Sequence, residues 1–589
     1  MKYFEMLSLG LLSSLLALSC SKTLDPNVSE TKEGIDRNSS LDQLGDVGSP
    51  TYNEILQTKA VVTPRLPWTD TYWPLTEKGL SRRWSKSEKV IGLAEFFSSQ
   101  TIQNKEKKVD SFLSPAEKYD ILFRWRHSLA INETQVAELV KNWDVMESSL
   151  DMNAEISATK KTIRASSREF DSKKLEGFRK EFPMSSDGWD SWLTYSSSDQ
   201  FMFGDVKDSG EDWSWMGSCH GWAPAALMAE TPKHSVLVKF DDREVMLSEG
   251  DIRGLLTKSW ADHSPRKEQY FVGRRCNKNS ADPVGEIPHS AAGRGYYGEI
   301  TRGDVKTPFN VKSEIYATFI ESSDRIYPLS YDDKEGVQGF LLETYSNNAK
   351  RFYLGQSLDN LRSFVENGDD TKVETLSSVE MFGCWDVNPA TFHVALVQKV
   401  GKEGVGLVID RTRTGQVWNQ PVYSATFNIA PLVALSDLMK EGNPALGTRD
   451  REAFRRNLAP GTKSIAVVNA KVLWISEPAE QKMDYTAAFD KKHSKELSYD
   501  YLLEFDRNGH LIGGEWGTLA ETSPKQVTPD FIFGFDKGSK PVDDIKGGFD
   551  FSGIVGQIHD CSLSETIDGT MKVGTYNLEY SNCVLTKAP

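Results

Sequence analysis

The chain has 589 residues, and 69 Lys+Arg against 84 Asp+Glu give it a formal net charge of −15. At roughly 100–200 residues per domain it holds about three or four domains. An acidic chain lacks the basic face that general nucleic-acid binding needs, and 39% hydrophobic with 11% aromatic residues excludes global disorder. Beyond the N-terminus no apolar run approaches the roughly 20 residues of a bilayer span, which excludes a multi-pass membrane protein.

Residues 1–19 read MKYFEMLSLGLLSSLLALS, with Lys2 ahead of an apolar stretch from Met6 to Leu18. That stretch has signal-peptide length and is too short for a stable span. Small residues then lead into Cys20, in the manner of a bacterial lipobox whose cysteine is acylated. The expected product is an exported bacterial membrane lipoprotein, periplasmic or at the cell surface, touching the membrane only through its lipid anchor. Residues 20–50, rich in Ser, Asp and Gly, read as its polar tether.

Residues 51–195 form a mostly helical region. It opens on PRLPWTDTYWPLTEKGLSRRW, dense in aromatics and without period, which reads as an ordered extended segment on a surface or in a cleft. Ser114-Pro115 marks an N-cap followed by Pro at the first helical position. Asn132-Glu133 starts another helix, with Val136, Leu139, Val140 and Trp143 at helical spacing. Residues 196–460, the expected catalytic core, mix helices and strands: Leu247–Trp260 reads as an amphipathic helix, and Phe392–Val400 and Gly404–Ile409 as strands. Residues 461–589 turn to β, with Ser464–Leu473 and Tyr499–Phe505 as strands and Asp506-Arg507-Asn508-Gly509 as a hairpin turn. The fold class is α+β.

There is no HExxH, no CxxC and no phosphate loop. The chemistry lies with the cysteines. If Cys20 is lipidated, five remain in an oxidising compartment, an odd number. Cys561 and Cys583 lie close together near the C-terminus and are expected to bridge; Cys276 with Cys384 is the expected second pair, which leaves Cys219 outside the bridges. Counting alone lets any of the five be the odd one, and local sequence decides. In WSWMGSCHGWAPAALM (213–228) a helix should begin around His220 to Trp222, because Pro224 must lie within its first turn. Cys219 would then stand at a helix entrance, where the thiolate is favoured and nucleophilic. Such a nucleophile needs a base. Of the nine histidines, His393 opens an apolar segment read as a strand, and Asp410 ends the next one. A hairpin would bring the two side by side, with Asn419 and Asp386 as alternatives to Asp410 and His220 or His289 as alternative bases.

The order Cys, His, Asp resembles the papain-like and transglutaminase-like arrangement. Val417-Trp418-Asn419-Gln420-Pro421-Val422 resembles the core of the elicitor peptide of Phytophthora transglutaminases. Cys219-His220-Gly221-Trp222-Ala223-Pro224 is similar to that family's nucleophile segment, and PWTDTYWP, LIGGEW and Pro529-Asp530-Phe531 to further blocks of it. The resemblance implies a papain-like or transglutaminase-like catalytic core and a protein-glutamine γ-glutamyltransferase that joins Gln to Lys through a Cys219 thioester. His393 would serve as acid/base and Asp410 as its orienter. It also implies a protein or peptide glutamine donor, a primary-amine acceptor, calcium as cofactor at ligands the sequence does not locate, and surface exposure of Trp418 to Val422. Trp213, Trp215, Trp222 and Trp418, with Asn419, are expected to line the substrate channel. The rival readings are a papain-like cysteine peptidase or amidase on the same triad and a catalytically silent surface-binding protein. Papain-like proteases carry Gln six residues before the nucleophile, where this chain has Trp213.

Overall fold

The structure is a computed structural model. It describes residues 41–44, 47–84, 91–149, 173–197, 215–273 and, within 294–589, all but 303–304, 313–324, 332–338, 347–348, 368, 377–378, 384–386, 413–415, 457, 460, 479 and 522–526. The signal peptide, Cys20, Trp213, Cys276, His289, Cys384 and Asp386 lie outside the described residues.

Several helices begin where the sequence places them. Ser114 caps Pro115–Arg126 and exchanges bonds with Glu117 in a capping box. Asn132 accepts from the Gln135 N–H at the start of Glu133–Ser149. The helix read over Leu247–Trp260 runs from Glu249 to Asp262, capped by Ser248 with Asp251. Lys118 meets Asp251 at 2.7 Å with both side chains fully buried, and Arg83 meets Glu117 at 2.6 Å, so each capping carboxylate also holds a buried cation.

A central antiparallel sheet organises the molecule. Its strands run, in spatial order, Leu511–Trp516, Ser494–Phe505, Ser464–Ile475, Asn419–Ile429, Leu407–Asp410, Phe531–Phe535 and Gln269–Gly273, with Ala60–Val62 and Val433–Ala434 attached at its side. Strands from both sides of residue 460 thus share one sheet. Two cores cover its faces, and the period of two sorts each strand between them. Val408, Phe531 and Phe533 join the core that holds Cys219; Leu407, Ile409 and Ile532 join the other, which holds Phe392, Tyr499 and Tyr501.

Residues 294–383 add a seven-stranded antiparallel sheet, and Ser235–Phe240 pairs in parallel with Tyr576–Val584 in a four-stranded one. Cys561 and Cys583 are bridged there, as expected. The hairpin turn at Asp506–Gly509 joins two central strands, with Gly509 at φ 79° and the Asp506 carboxylate accepting from the Asn508 and His510 N–H groups.

Two readings need correction. The apolar segment from Phe392 is helical: Pro389–Ala395 is an α-helix that continues as a π-helix over Leu396–Lys402. Asn388 accepts from the Ala390 N–H and Pro389 sits in the first turn, a helix start that outweighs the β-branched residues behind it. The tether is also shorter than residues 20–50, since Leu41 and Leu44 are buried in the second core and Leu511 N–H bonds to the Pro50 carbonyl. Among the described residues no helix is long and apolar enough to cross a membrane.

Candidate active site

Cys219 is the first residue of the helix Cys219–Met228. The helix starts slightly before the expected point, so Pro224 lies in its second turn and deprives the His220 carbonyl of a helical donor. Ser218 gives no side-chain cap, and the first-turn N–H groups make this end favourable to negative charge. Gly221 fixes the packing. A Cβ there would lie 2.3 Å from the Thr257 carbonyl oxygen and 2.6 Å from Ala261 Cβ, so the Cys219 helix presses directly on Glu249–Asp262.

The segment Trp68–Trp73 straps this helix end. The Ser218 N–H bonds to the Tyr72 carbonyl, the Leu75 N–H to the Met216 carbonyl, and the Trp222 indole to the Trp68 carbonyl. The strap was expected on a surface or in a cleft; Trp68, Thr69 and Asp70 are fully buried. A buried polar network holds it. Asp490 accepts from the Thr69 N–H and pairs with Arg253 at 2.8 Å, and Arg253 reaches the Thr69 carbonyl. Asp70 takes bonds from Tyr485, Trp73 and the Thr71 N–H, yet burial still pushes its carboxyl up to about 6.

The Cys219 side chain carries a reduced thiol and is 1% exposed. Its sulfur lies 3.9 Å from the Val417 carbonyl oxygen, and Asn419 Nδ2 donates to it at 3.3 Å. Above it, Trp418 packs edge-on against Tyr72 at 5.4 Å and beside Trp215 at 6.4 Å. Asp410 stands in register with Asn419 on the neighbouring strand, and its Oδ1 accepts from the Trp418 N–H at 3.2 Å. The carboxylate therefore pins the turn that carries Val417 and Trp418 over the sulfur. The structure thus gathers Cys219, Trp215, Trp418, Asn419 and Asp410 in one layer. Trp222, on the same helix, is fully buried in the core.

His393 is elsewhere. The expected hairpin does not form, because His393 sits on a helix and Asp410 pairs with Asn419 and Phe531. The His393 helix packs into the core on the opposite face of the sheet from Cys219. There Nδ1 bonds to the Tyr501 hydroxyl at 2.7 Å, Nε2 has no partner, and burial drives the imidazole down to about 3. His220 is next to the nucleophile in sequence and buried as well. Burial lowers its imidazole to about 4 against the opposing pull of Asp262 and a bond to the Gly217 backbone, and its Nδ1 has no partner.

The elicitor-like segment also differs from expectation. Asn419, Gln420 and Val422 are buried, at 1%, 1% and 0% exposure, and only Trp418 reaches the surface in part. The reason is their position: they open a strand that lies between two others. Among the described residues no cluster of three or more His, Cys, Asp or Glu could hold a metal ion. Reading the sequence missed Tyr72, Val417 and Tyr501 as neighbours of the predicted groups. The aromatic density of PWTDTYWP was the one signal for the first.

The family profile described as Transglutaminase elicitor matches residues 368–554, a stretch that includes His393, Asp410 and Asn419 and ends well after them. The crystal structure of the GP42 transglutaminase from Phytophthora sojae aligns with 88% of this chain and 95% of its own, at 16% identity and a TM-score of 0.42. Among curated proteins nothing matches.

Proposed function

We propose that this chain, which carries a transglutaminase elicitor family segment at residues 368–554, is an acyltransferase that works through Cys219. The observation that supports this most is a reduced thiol at a helix N-terminus with the amide of Asn419 on its sulfur, the latter inside the family segment. In this reading the thiolate attacks the side-chain carboxamide of a glutamine in a protein or peptide. The C–S bond forms, the C–N bond breaks, and the nitrogen leaves as ammonia after taking a proton. A primary amine then attacks the thioester and restores the thiol. Backbone N–H groups at the helix start are the natural oxyanion donors.

An imidazole carries the proton. His393, the base expected from the sequence, lies across the sheet from the sulfur, and the role passes in this reading to His220 or His289. The rim of Tyr72, Trp215 and Trp418 would shield the thioester from water and take the aliphatic stem of a lysine. Export with a lipid anchor at Cys20, and activation by calcium, belong to the same proposal; they rest on the leader's pattern and on the family resemblance.

Incubation of the protein with a glutamine peptide and a labelled primary amine, with and without calcium, tests the reading. Label should enter the peptide and ammonia should appear in step. Free glutamate alone at high amine concentration would point to an amidase, and backbone cleavage to a peptidase.

A further inference from the structure

Asn419 is an unusual residue for its position. It opens a central strand, where asparagine is disfavoured, and its side chain is almost wholly buried. Nδ2 donates one N–H to the Cys219 sulfur at 3.3 Å, whereas Oδ1 is buried with no hydrogen-bond partner. The orientation with Nδ2 toward the sulfur is the one that suits a thiolate, which accepts hydrogen bonds and has no proton to donate to an amide oxygen. A buried carbonyl without a donor is a costly state that an apolar residue would avoid, and such exceptions gather at functional sites. The acceptor belongs to the same amide that touches the nucleophile, so a group reacting with the sulfur passes beside it.

We propose that Asn419 is a catalytic residue that holds the Cys219 sulfur through Nδ2 and receives, at Oδ1, an N–H of the substrate's primary carboxamide. This deepens the acyltransferase reading and rests on it. A primary carboxamide offers two N–H donors on the nitrogen that must leave. With one of them bonded to Oδ1, that nitrogen stays oriented while the Sγ–C bond forms and the C–N bond breaks. The thiol proton passes through the imidazole to the nitrogen, which departs as ammonia. An ester of the same acid has no N–H on its leaving group and gains nothing from Oδ1. Nδ2, for its part, favours the thiolate as a hydrogen-bond donor. Asn419 thus selects carboxamides over esters at the acylation step.

The test uses the full chain, the Asn419→Ala variant and the near-isosteric, uncharged Asn419→Leu variant, which keeps the side-chain shape and removes both the N–H donor and the carbonyl acceptor. Two readouts are taken. One is ammonia release from a glutamine peptide against release of p-nitrophenol from the γ-p-nitrophenyl ester of the same glutamyl peptide. The other is the pH profile of Cys219 alkylation by iodoacetamide, mapped by mass. Asn419→Ala should lose about 10²-fold on the carboxamide and far less on the ester. Both variants should move the alkylation profile to higher pH, and Asn419→Leu serves both arms if Asn419→Ala does not fold. Equal losses on amide and ester would overturn the carboxamide contact; an unmoved alkylation profile would overturn the sulfur contact. If the unaltered protein releases no ammonia from any glutamine peptide but still turns over the ester, the transglutaminase reading fails and the carboxamide contact with it. The alkylation profile then still decides the contact with sulfur.

Discussion

On one face of the central sheet a thiol, an amide and a carboxylate stand in one layer beneath an aromatic rim; on the other, His393 bonds Tyr501 inside an apolar core. The same strand feeds both faces. Val408 belongs to the Cys219 core, with Asp410 two residues on along that face, whereas Leu407 and Ile409 turn the other way. A one-residue change of register would exchange the two sets. A nucleophile and an imidazole that follow one another in the order of a triad therefore need not meet. Each belongs to the face its element covers, and the His393 helix covers the far one.

The Cys219 face is held by a buried ion pair, and breaking it should have the largest effect. Arg253→Met leaves Asp490 and the Thr69 carbonyl without their cation in a dry environment. A loss of about 3–5 kcal/mol is expected in urea unfolding, because an uncompensated buried charge remains. A loss under about 1 kcal/mol would mean that the strap stands without the pair.

Gly221→Ala tests how closely the Cys219 helix must sit on Glu249–Asp262. Its new Cβ meets backbone at 2.3 Å, so the helix must shift rather than a side chain swing aside. Overpacking of this kind costs about 1–3 kcal/mol. Turnover of the folded fraction should fall as well, since Cys219 and Asn419 lie on elements that would move apart. Unchanged turnover with lowered stability would show the sulfur's setting to be less demanding than its geometry implies.

His393→Gln probes the opposite face. The imidazole is depressed from 6.5 to about 3 by burial, so below pH 6.5 the unfolded chain takes up a proton that the folded chain refuses. The stability of the unaltered protein relative to the variant should therefore be flat above pH 6.5. It should fall by about 1.4 kcal/mol per pH unit below that value, down toward pH 3. Turnover of the folded variant at neutral pH should stay close to that of the unaltered protein. A collapse of turnover without a change in melting temperature would mean that His393 reaches Cys219 during reaction, and the separation of the two faces would fall.

Much of the local structure was legible in the chain. Ser114-Pro115 and Ser248 carry their capping signals in side chains that bond the adjacent backbone, and Asp506–Gly509 carries its turn. Cys219 at a helix entrance was readable from Gly, Ser and Pro around it. The segment around His393 misled because Phe392, Val394, Ala395 and Leu396 form an apolar run, and such a run does not distinguish a buried helix from a buried strand. The deciding signal, Asn388-Pro389, stood just ahead of it. The burial of Asn419, Gln420 and Val422 was not legible, because strand order is a long-range property. Pro421, which has no N–H to give a ladder, is tolerated where pairing with Ser464–Ile475 has not yet begun, since that ladder starts at Val422.

The proposed chemistry stands on Cys219 carrying the acyl group. Rapid acid quench of the protein with a glutamine peptide in the absence of amine, followed by mass mapping, tests it most directly. A peptide-minus-ammonia adduct is expected on the fragment that contains Cys219, lost on addition of a primary amine and absent from Cys219→Ala. An adduct on another residue, or continued amine incorporation by Cys219→Ala, would contradict it.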